Sequence, residues 1–336
     1  MRAVILVGGF GTRLRPLTAH TPKQMLPIVD RPMIERVLST LAGFGVDDAV
    51  LSLGYRPDAF FDAYPDDSYA GVALHYAVEP EPLDTAGAVR FAASDGGIEH
   101  TFLVVNGDVL SDLDVGQLWA FHHEAGAEAT IALTPVEDPS RYGVVPIDDA
   151  GRVEAFVEKP PPGEAPTNWI NAGVYVLEPA VLDRIPAGTR SSIERTIFPE
   201  MVVDGSLYAR HSDAYWIDAG TPGTYLQAQL DLIDGRRGTP EVGVSRSARV
   251  APDADVDHSV LMHHVVVESG GVVRDSVLLP GTRVESGAVV EGSVVGVRSV
   301  VSPGAHLSEL SVVGDDVVVP SGARLVGAHL PDEETS

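Results

Sequence analysis

Met1-Arg-Ala-Val-Ile-Leu-Val-Gly-Gly-Phe-Gly-Thr-Arg-Leu-Arg-Pro-Leu-Thr18 decides the fold, because an apolar run breaks into closely spaced glycines and then two arginines. Ala3 to Val7 is short, continuous and rich in β-branched residues, which suits a parallel strand covered on both faces. Gly8, Gly9 and Gly11 let backbone N–H groups approach an anion with no Cβ in the way, and Arg13 and Arg15 add forked donors that match phosphate oxygens. Lys23, in Thr21-Pro22-Lys23-Gln24, brings a point charge nearby. The spacing is not that of G-x-x-x-x-G-K-[ST], and Gly9-Phe-Gly11-Thr-Arg-Leu14 lacks the third glycine of the dinucleotide fingerprint. The stretch reads as a buried strand feeding a phosphate loop of another kind.

Working outward, Pro32 to Ala42 places Ile34, Val37, Leu38 and Leu41 on one helical stripe that ends at Gly43. Ala49–Leu53 and Val72–Val78 read as strands, with a helix over Arg56–Tyr64 between them. This alternation predicts an α/β fold: a Rossmann-like, mostly parallel sheet with its ligand loops gathered beyond the strand ends. Two such loops carry chemistry. Glu79-Pro-Glu-Pro-Leu-Asp-Thr-Ala-Gly-Ala88 enters a helix capped by Asp84 or Thr85, and Gly87 would allow close approach of a flat base or ribose. Thr101-Phe-Leu-Val-Val-Asn-Gly-Asp108 runs from a strand to a carboxylate aimed into the crevice. Further on, Leu118–Glu124 predicts a helix, Ala129–Leu133 a strand, and Val153–Lys159 an alternating strand. Ser191-Ser-Ile-Glu194 reads as a capped helix start, Thr224–Ile233 as a closing helix, and Asp234–Pro240 as a linker.

After Pro240 the chain turns to valine, glycine and short polar residues, and apolar positions recur every sixth residue. One frame runs Val244, Val250, Val256, Met262; a second Val266, Val272, Leu278, Val284, Val290; a third Val289, Val295, Val301, Leu307, Val313, Val319, Leu325. A period of six is the mark of a hexapeptide β-helix with a shared apolar interior, its frame changes being small insertions at corners. The expected organisation is a catalytic domain over 1–234, a linker over 235–243 and a β-helix over 244–330. His258, His263, His264 and His306 are the candidate bases of that last part, and none sits in an acyltransferase motif. Stabilisation, regulation or homo-oligomer formation is its expected use.

Composition sets outer bounds. A chain of 336 residues, 44% hydrophobic and 21% charged, has room for two ordinary globular domains. A net charge of −25 argues against nucleic acid or an anionic membrane as partner, so phosphates must bind in a local basic pocket. The chain has no cysteine, which rules out disulfides and thiolate chemistry. The first apolar run is too short for a signal peptide and no span of about 18 apolar residues follows, so the cytoplasm is the expected compartment.

The string G-G-x-G-T-R-L-x-P-L-T followed by P-K resembles the signature of sugar-nucleotide pyrophosphorylases, nucleotidyltransferases that join a nucleoside triphosphate to a sugar 1-phosphate. The resemblance covers nearly the whole chain. It implies that Gly8, Gly9, Gly11, Thr12, Arg13, Lys23, Glu79 and Gly87 bind the nucleotide, with Asp84 standing where a glycine is usual. It implies that Asp108 and Asp218, the latter in Tyr215-Trp-Ile-Asp-Ala-Gly-Thr-Pro222, hold Mg²⁺. Gly143 of Tyr142-Gly-Val144, Glu158 and Lys159 of Glu158-Lys-Pro160, and Asn171 of Asn171-Ala-Gly173 would line the sugar-phosphate pocket. Arg13, Lys23, Asp108 and Asp218 would carry the catalysis, and the β-helix would be left-handed. Within the family, Gly9–Pro16, Asp138–Val145 and Asn171–Tyr175 look most like mannose-1-phosphate guanylyltransferases, implying GTP and mannose 1-phosphate. Gln24 departs from the proline usual there after the lysine. A glucose-1-phosphate thymidylyltransferase or uridylyltransferase is the alternative enzyme, and a silent sugar-nucleotide-binding regulatory subunit the alternative of another class.

Overall fold

The computed structural model describes residues 1–331. The chain folds as two units, Met1–Gly9 with Ile34–Trp216, and Phe10–Met33 with Ile217 onward.

The first unit is built on a ten-stranded mixed sheet. Arg2–Leu6 lies at its centre, parallel to Asp48–Leu53 on one side and to Phe102–Asn106 on the other. Val72–Val78 extends the parallel set beyond Asp48–Leu53. Trp169–Leu177 runs antiparallel between Phe102–Asn106 and Ala129–Pro135, and Leu207–His211 closes on Ala129–Pro135. The β-branched residues that predicted a doubly covered strand behave as expected, with Val4, Ile5, Val50 and Val104 fully buried. Chain order reverses at Arg2–Leu6, the position where open α/β sheets leave a crevice beyond their carboxyl ends. The helices Met33–Gly43, Asp58–Ala63, Asp84–Asp95 and Val115–Ala125 follow the predicted alternation.

One strand is shorter than its pattern. Of Val153–Lys159 only Val157–Glu158 joins the sheet, against Gly143–Val144. The backbone ahead of it divides its hydrogen bonds, Val153 N–H donating to Leu207 O at 3.0 Å and Glu154 N–H to Pro146 O at 3.0 Å, so no single ladder forms.

In the second unit, helix Pro222–Ile233 begins at a capping box between Thr221 and Thr224. Its Tyr225 hydroxyl donates to Pro27 O at 2.5 Å, and the Gln229 amide donates to Pro27 O (2.9 Å) and accepts from Val29 N–H (2.7 Å), which anchors the segment after Lys23. Beyond it lies the β-helix, left-handed in class: three parallel sheets of five short strands each between Arg249 and Leu330.

The coil length corrects the frames read from sequence. Val250, Val267, Val284 and Val301 stack in register at intervals of 17 residues, and Val319 follows 18 further on. Each regular coil therefore has two sides of six residues and one of five, and the frame changes are one-residue contractions rather than insertions. Val267 and Val273 point inward where the sequence frame named Val266 and Val272, and Leu261 occupies the stack beside Met262. His258 is engaged structurally, its Nδ1 2.6 Å from Asp275 Oδ1 and its Nε2 3.0 Å from Asp234 Oδ1. Among the described residues no helix is long and apolar enough to cross a membrane.

Candidate active site

In the first unit, parallel strand ends bring three of the expected residues to one edge. Val7 N–H donates to Ser52 O, Glu79 N–H to Leu53 O and Gly107 N–H to Leu6 O, so Gly8, Glu79 and Asp108 each emerge where a ladder stops. A Cβ on Gly8 would lie 3.3 Å from Glu79 Oε1. That carboxylate is held from two sides, by the Ser52 hydroxyl at 2.9 Å and by Leu83 N–H at 3.0 Å. Gly9 adopts φ 103°, a conformation that L side chains resist. Asp108, directly after Gly107, is half-buried.

The helix after Glu79 is tied down differently from expectation. Neither Asp84 nor Thr85 caps it; the Thr85 hydroxyl instead donates to Glu194 Oε2 at 2.6 Å and accepts from Ile193 N–H at 2.9 Å. The predicted cap at the next segment is present, Ser192 accepting from Arg195 N–H. Gly87 is needed for packing, since a Cβ there would lie 2.8 Å from Thr189 O.

The four expected sugar-phosphate residues also lie in this unit. Gly143 pairs with Glu158 across the short antiparallel ladder, and a Cβ on Gly143 would collide with the Phe156 ring. Lys159 sits at φ 50°, mostly exposed, with Nζ 3.4 Å from Glu158 Oε1. Asn171 opens a β-bulge: its Oδ1 accepts from Gly173 N–H (2.9 Å) and its Nδ2 donates to the Tyr175 hydroxyl (2.8 Å). Trp216, which carried no signal of its own, fixes this bulge by donating to Ala172 O at 2.9 Å.

The second unit holds Gly11, Thr12, Arg13, Lys23 and Asp218. Gly11 takes φ 60° and leads into the short 3-10 turn Thr12–Leu14; a Cβ on it would lie 3.2 Å from Lys23 Cβ, so the turn and Lys23 are neighbours. The Thr18 hydroxyl closes the loop onto Gly11 O at 2.8 Å. A Cβ on Gly220 would lie 2.6 Å from Asp218 Oδ1 and 2.9 Å from Arg13 Nη2, so this glycine lets a guanidinium and a carboxylate some 200 residues apart in sequence converge. Gly220 N–H donates to Asp218 Oδ1 at 2.9 Å and fixes that carboxylate. Sequence reasoning passed over Gly220, although Asp218-Ala-Gly220 was its signal.

Glycines and a carboxylate at the carboxyl ends of parallel strands define an α/β protein of the kind that takes its ligand beyond those ends. Residues 2–235 match the nucleotidyl transferase family and residues 239–332 the GMPPB C-terminal domain, so the chain belongs to the nucleotidyl transferase family. Among its relatives, a mannose-1-phosphate guanyltransferase of Schizosaccharomyces pombe is 39% identical over 95% of this chain and 92% of its own. A mannose-1-phosphate guanylyltransferase of Mycobacterium tuberculosis is 38% identical over 81% of this chain and 82% of its own. The solved structure of HddC from Yersinia pseudotuberculosis complexed with GMP-PN superposes with a TM-score of 0.59 at 32% identity, over 68% of this chain and 97% of HddC.

Proposed function

We propose that the protein is a mannose-1-phosphate guanylyltransferase, making GDP-mannose and pyrophosphate from GTP and mannose 1-phosphate. The observation that carries the reading is the 38–39% identity to enzymes of that name across both parts of the chain. A phosphate oxygen of mannose 1-phosphate attacks the α-phosphorus of GTP, the new P–O bond forms as the bond to the β-phosphate oxygen breaks, and pyrophosphate leaves. The attacking phosphate is already ionised, so the protein's work is to orient two polyanions and stabilise charge on the leaving group.

In this reading Gly8, Gly9, Gly11 and Thr12 receive the triphosphate through backbone donors. Arg13 and Lys23 neutralise its oxygens, and Glu79 and Gly87 lie along the nucleoside. Gly143, Glu158, Lys159 and Asn171 take the sugar phosphate, Lys159 on phosphate and Glu158 on sugar hydroxyls. Asp108 and Asp218 would hold Mg²⁺, each offering the hard carboxylate oxygen that this ion takes. Bound there, the ion supplies charge neutralisation across the reacting phosphates. We also assign the protein to the cytoplasm, in keeping with a chain that has no cysteine.

The test is pyrophosphate release with Mg²⁺ across GTP, dTTP, UTP, ATP and CTP against mannose 1-phosphate and glucose 1-phosphate. GTP with mannose 1-phosphate is expected to dominate. Preference for dTTP or UTP with glucose 1-phosphate would overturn the substrates, and binding without any turnover would make the protein a regulatory subunit.

A further inference from the structure

One coil of the β-helix breaks the pattern of the others, and the break lies against the catalytic segments of its own unit. The third side takes five positions from Val256 to Leu261, Val273 to Leu278, Val290 to Val295 and Leu325 to Leu330, but six from Leu307 to Val313. The regular corners carry one residue of positive φ, at His258, Asp275, Gly292 and Gly327; the enlarged one carries two, Glu309 and Leu310. The extra residue is used. Leu310 Cδ2 lies 3.5 Å from where a Gly223 Cβ would stand, in the first turn of the helix that follows Asp218. Four residues on, Gly314 has no positive φ to explain it. A Cβ there would lie 3.0 Å from Pro16 Cβ and 3.3 Å from Pro16 Cγ, so the glycine is a seat for the proline that follows Arg13 and Arg15. Beside the seat opens a cavity of about 440 Å³ lined by Arg15, His20 and Asp315.

We infer that the enlarged coil is a positioning element for nucleotidyl transfer: Gly314 and Leu310 hold the Arg13 loop and the Asp218 turn so that guanidinium and carboxylate keep their registration at Gly220. Neither residue touches substrate. The inference rests on the proposed function for its reaction, and goes beyond it in giving the β-helix a part in the chemistry.

The test is made on the full chain. Gly314→Val is expected to lower kcat about tenfold or more, as misplacement of a catalytic group by a fraction of an ångström does, with the KM for mannose 1-phosphate little changed and the circular dichroism of the wild type. Adding Pro16→Gly removes the ring together with its Cβ, the nearest atom, and is expected to restore most of the loss; Leu310→Gly is expected to give a smaller fall. Gly314→Ala serves if the valine chain does not fold. Unchanged kcat in folded Gly314→Ala and Leu310→Gly proteins would overturn the inference, as would a Gly314→Val loss that Pro16→Gly leaves untouched. Wild-type turnover is measured first, with whichever substrates it accepts. If the wild type turns over none, the proposed function falls by itself. The positioning is then read from the rise in melting temperature given by Mg²⁺ and GTP, which both variants must diminish if the inference holds.

Discussion

Gly220 has no room for a side chain, because Asp218 Oδ1 and Arg13 Nη2 fill the space that a methyl group would take. Gly220→Ala must drive the two apart, and turnover is expected to fall about a hundredfold with little change in melting temperature; steady-state kinetics beside a thermal scan decides it, and undiminished kcat would remove the Arg13–Asp218 pair from the mechanism. Gln24 presents the opposite case. It is 1% exposed, and both polar atoms of its amide lack a hydrogen-bond partner among the described residues. Each unsatisfied buried group costs about 1–3 kcal/mol, so the nearly isosteric Gln24→Met is expected to stabilise the protein, visible as a melting temperature higher by a few degrees. No rise would mean that the amide is satisfied in solution. At this scale the sequence was readable where a residue works through its neighbours in the chain, as in Gly11 with its φ of 60°. It was silent where the partner is remote: nothing local says that Ser52 holds Glu79 or that Thr85 binds Glu194 rather than capping its own helix.

For whole elements, legibility follows periodicity. The strands Arg2–Leu6, Asp48–Leu53 and Val72–Val78 lie where apolar runs placed them, while the alternation at Val153 promised a ladder that tertiary partners divided. In the β-helix a period of six was plain, yet a coil of 17 slips one residue per turn, and valines on both sides of the true position hid the slip. Since a one-residue shift exchanges the two faces of a strand, the pair Val272 and Val273 tests the observed register. Val273, fully buried, is expected to unfold the β-helix when changed to Asp, because an unpaired buried charge cannot be accommodated. Val272→Asp is expected to be tolerated, and equal damage from both, measured by thermal unfolding, would reject the register. The corner at His258 adds a pH dependence. Its hydrogen bond to Asp275, helped by Asp234 and opposed by burial, raises its pKa above the ordinary histidine value. The native state thus prefers the protonated ring. The stabilisation is complete below the unfolded value of about 6.5 and is lost as pH rises through the higher folded value. With the ring 36% exposed, solvent screening keeps it small. The melting temperature of wild type should therefore exceed that of His258→Gln most near pH 6, with the gap closing by pH 9; a gap independent of pH would mean that the charge contributes nothing.

Over the whole molecule, fold class was legible because strands alternate with helices in the first part and the composition turns to a six-residue apolar period after Pro240. That Phe10–Met33 groups with the β-helix half was not, since approaches such as Pro16 on Gly314 join positions almost 300 residues apart. Charge acts at this scale too. The chain carries 48 acidic and 23 basic side chains, net −25, while both proposed substrates are anions. On the proposed function two electrostatic terms of opposite sign would act on GTP: repulsion from the distributed acidic surface, and attraction to Arg13, Lys23 and a bound cation at contact distance. They differ in range. The Debye length falls from about 30 Å at 0.01 M salt to about 8 Å at 0.15 M, so added salt removes the distributed repulsion while charge pairs within about 4 Å keep most of their attraction. The expected result is that kcat/KM for GTP rises as ionic strength increases across that interval at saturating Mg²⁺, the reverse of what a basic protein binding the same ligand would give. Steady-state kinetics in a salt with a non-coordinating anion decides it. A fall throughout would mean that the local cluster dominates the field of the whole molecule even at long range, and that the acidic surface is too distant from the bound nucleotide to be felt.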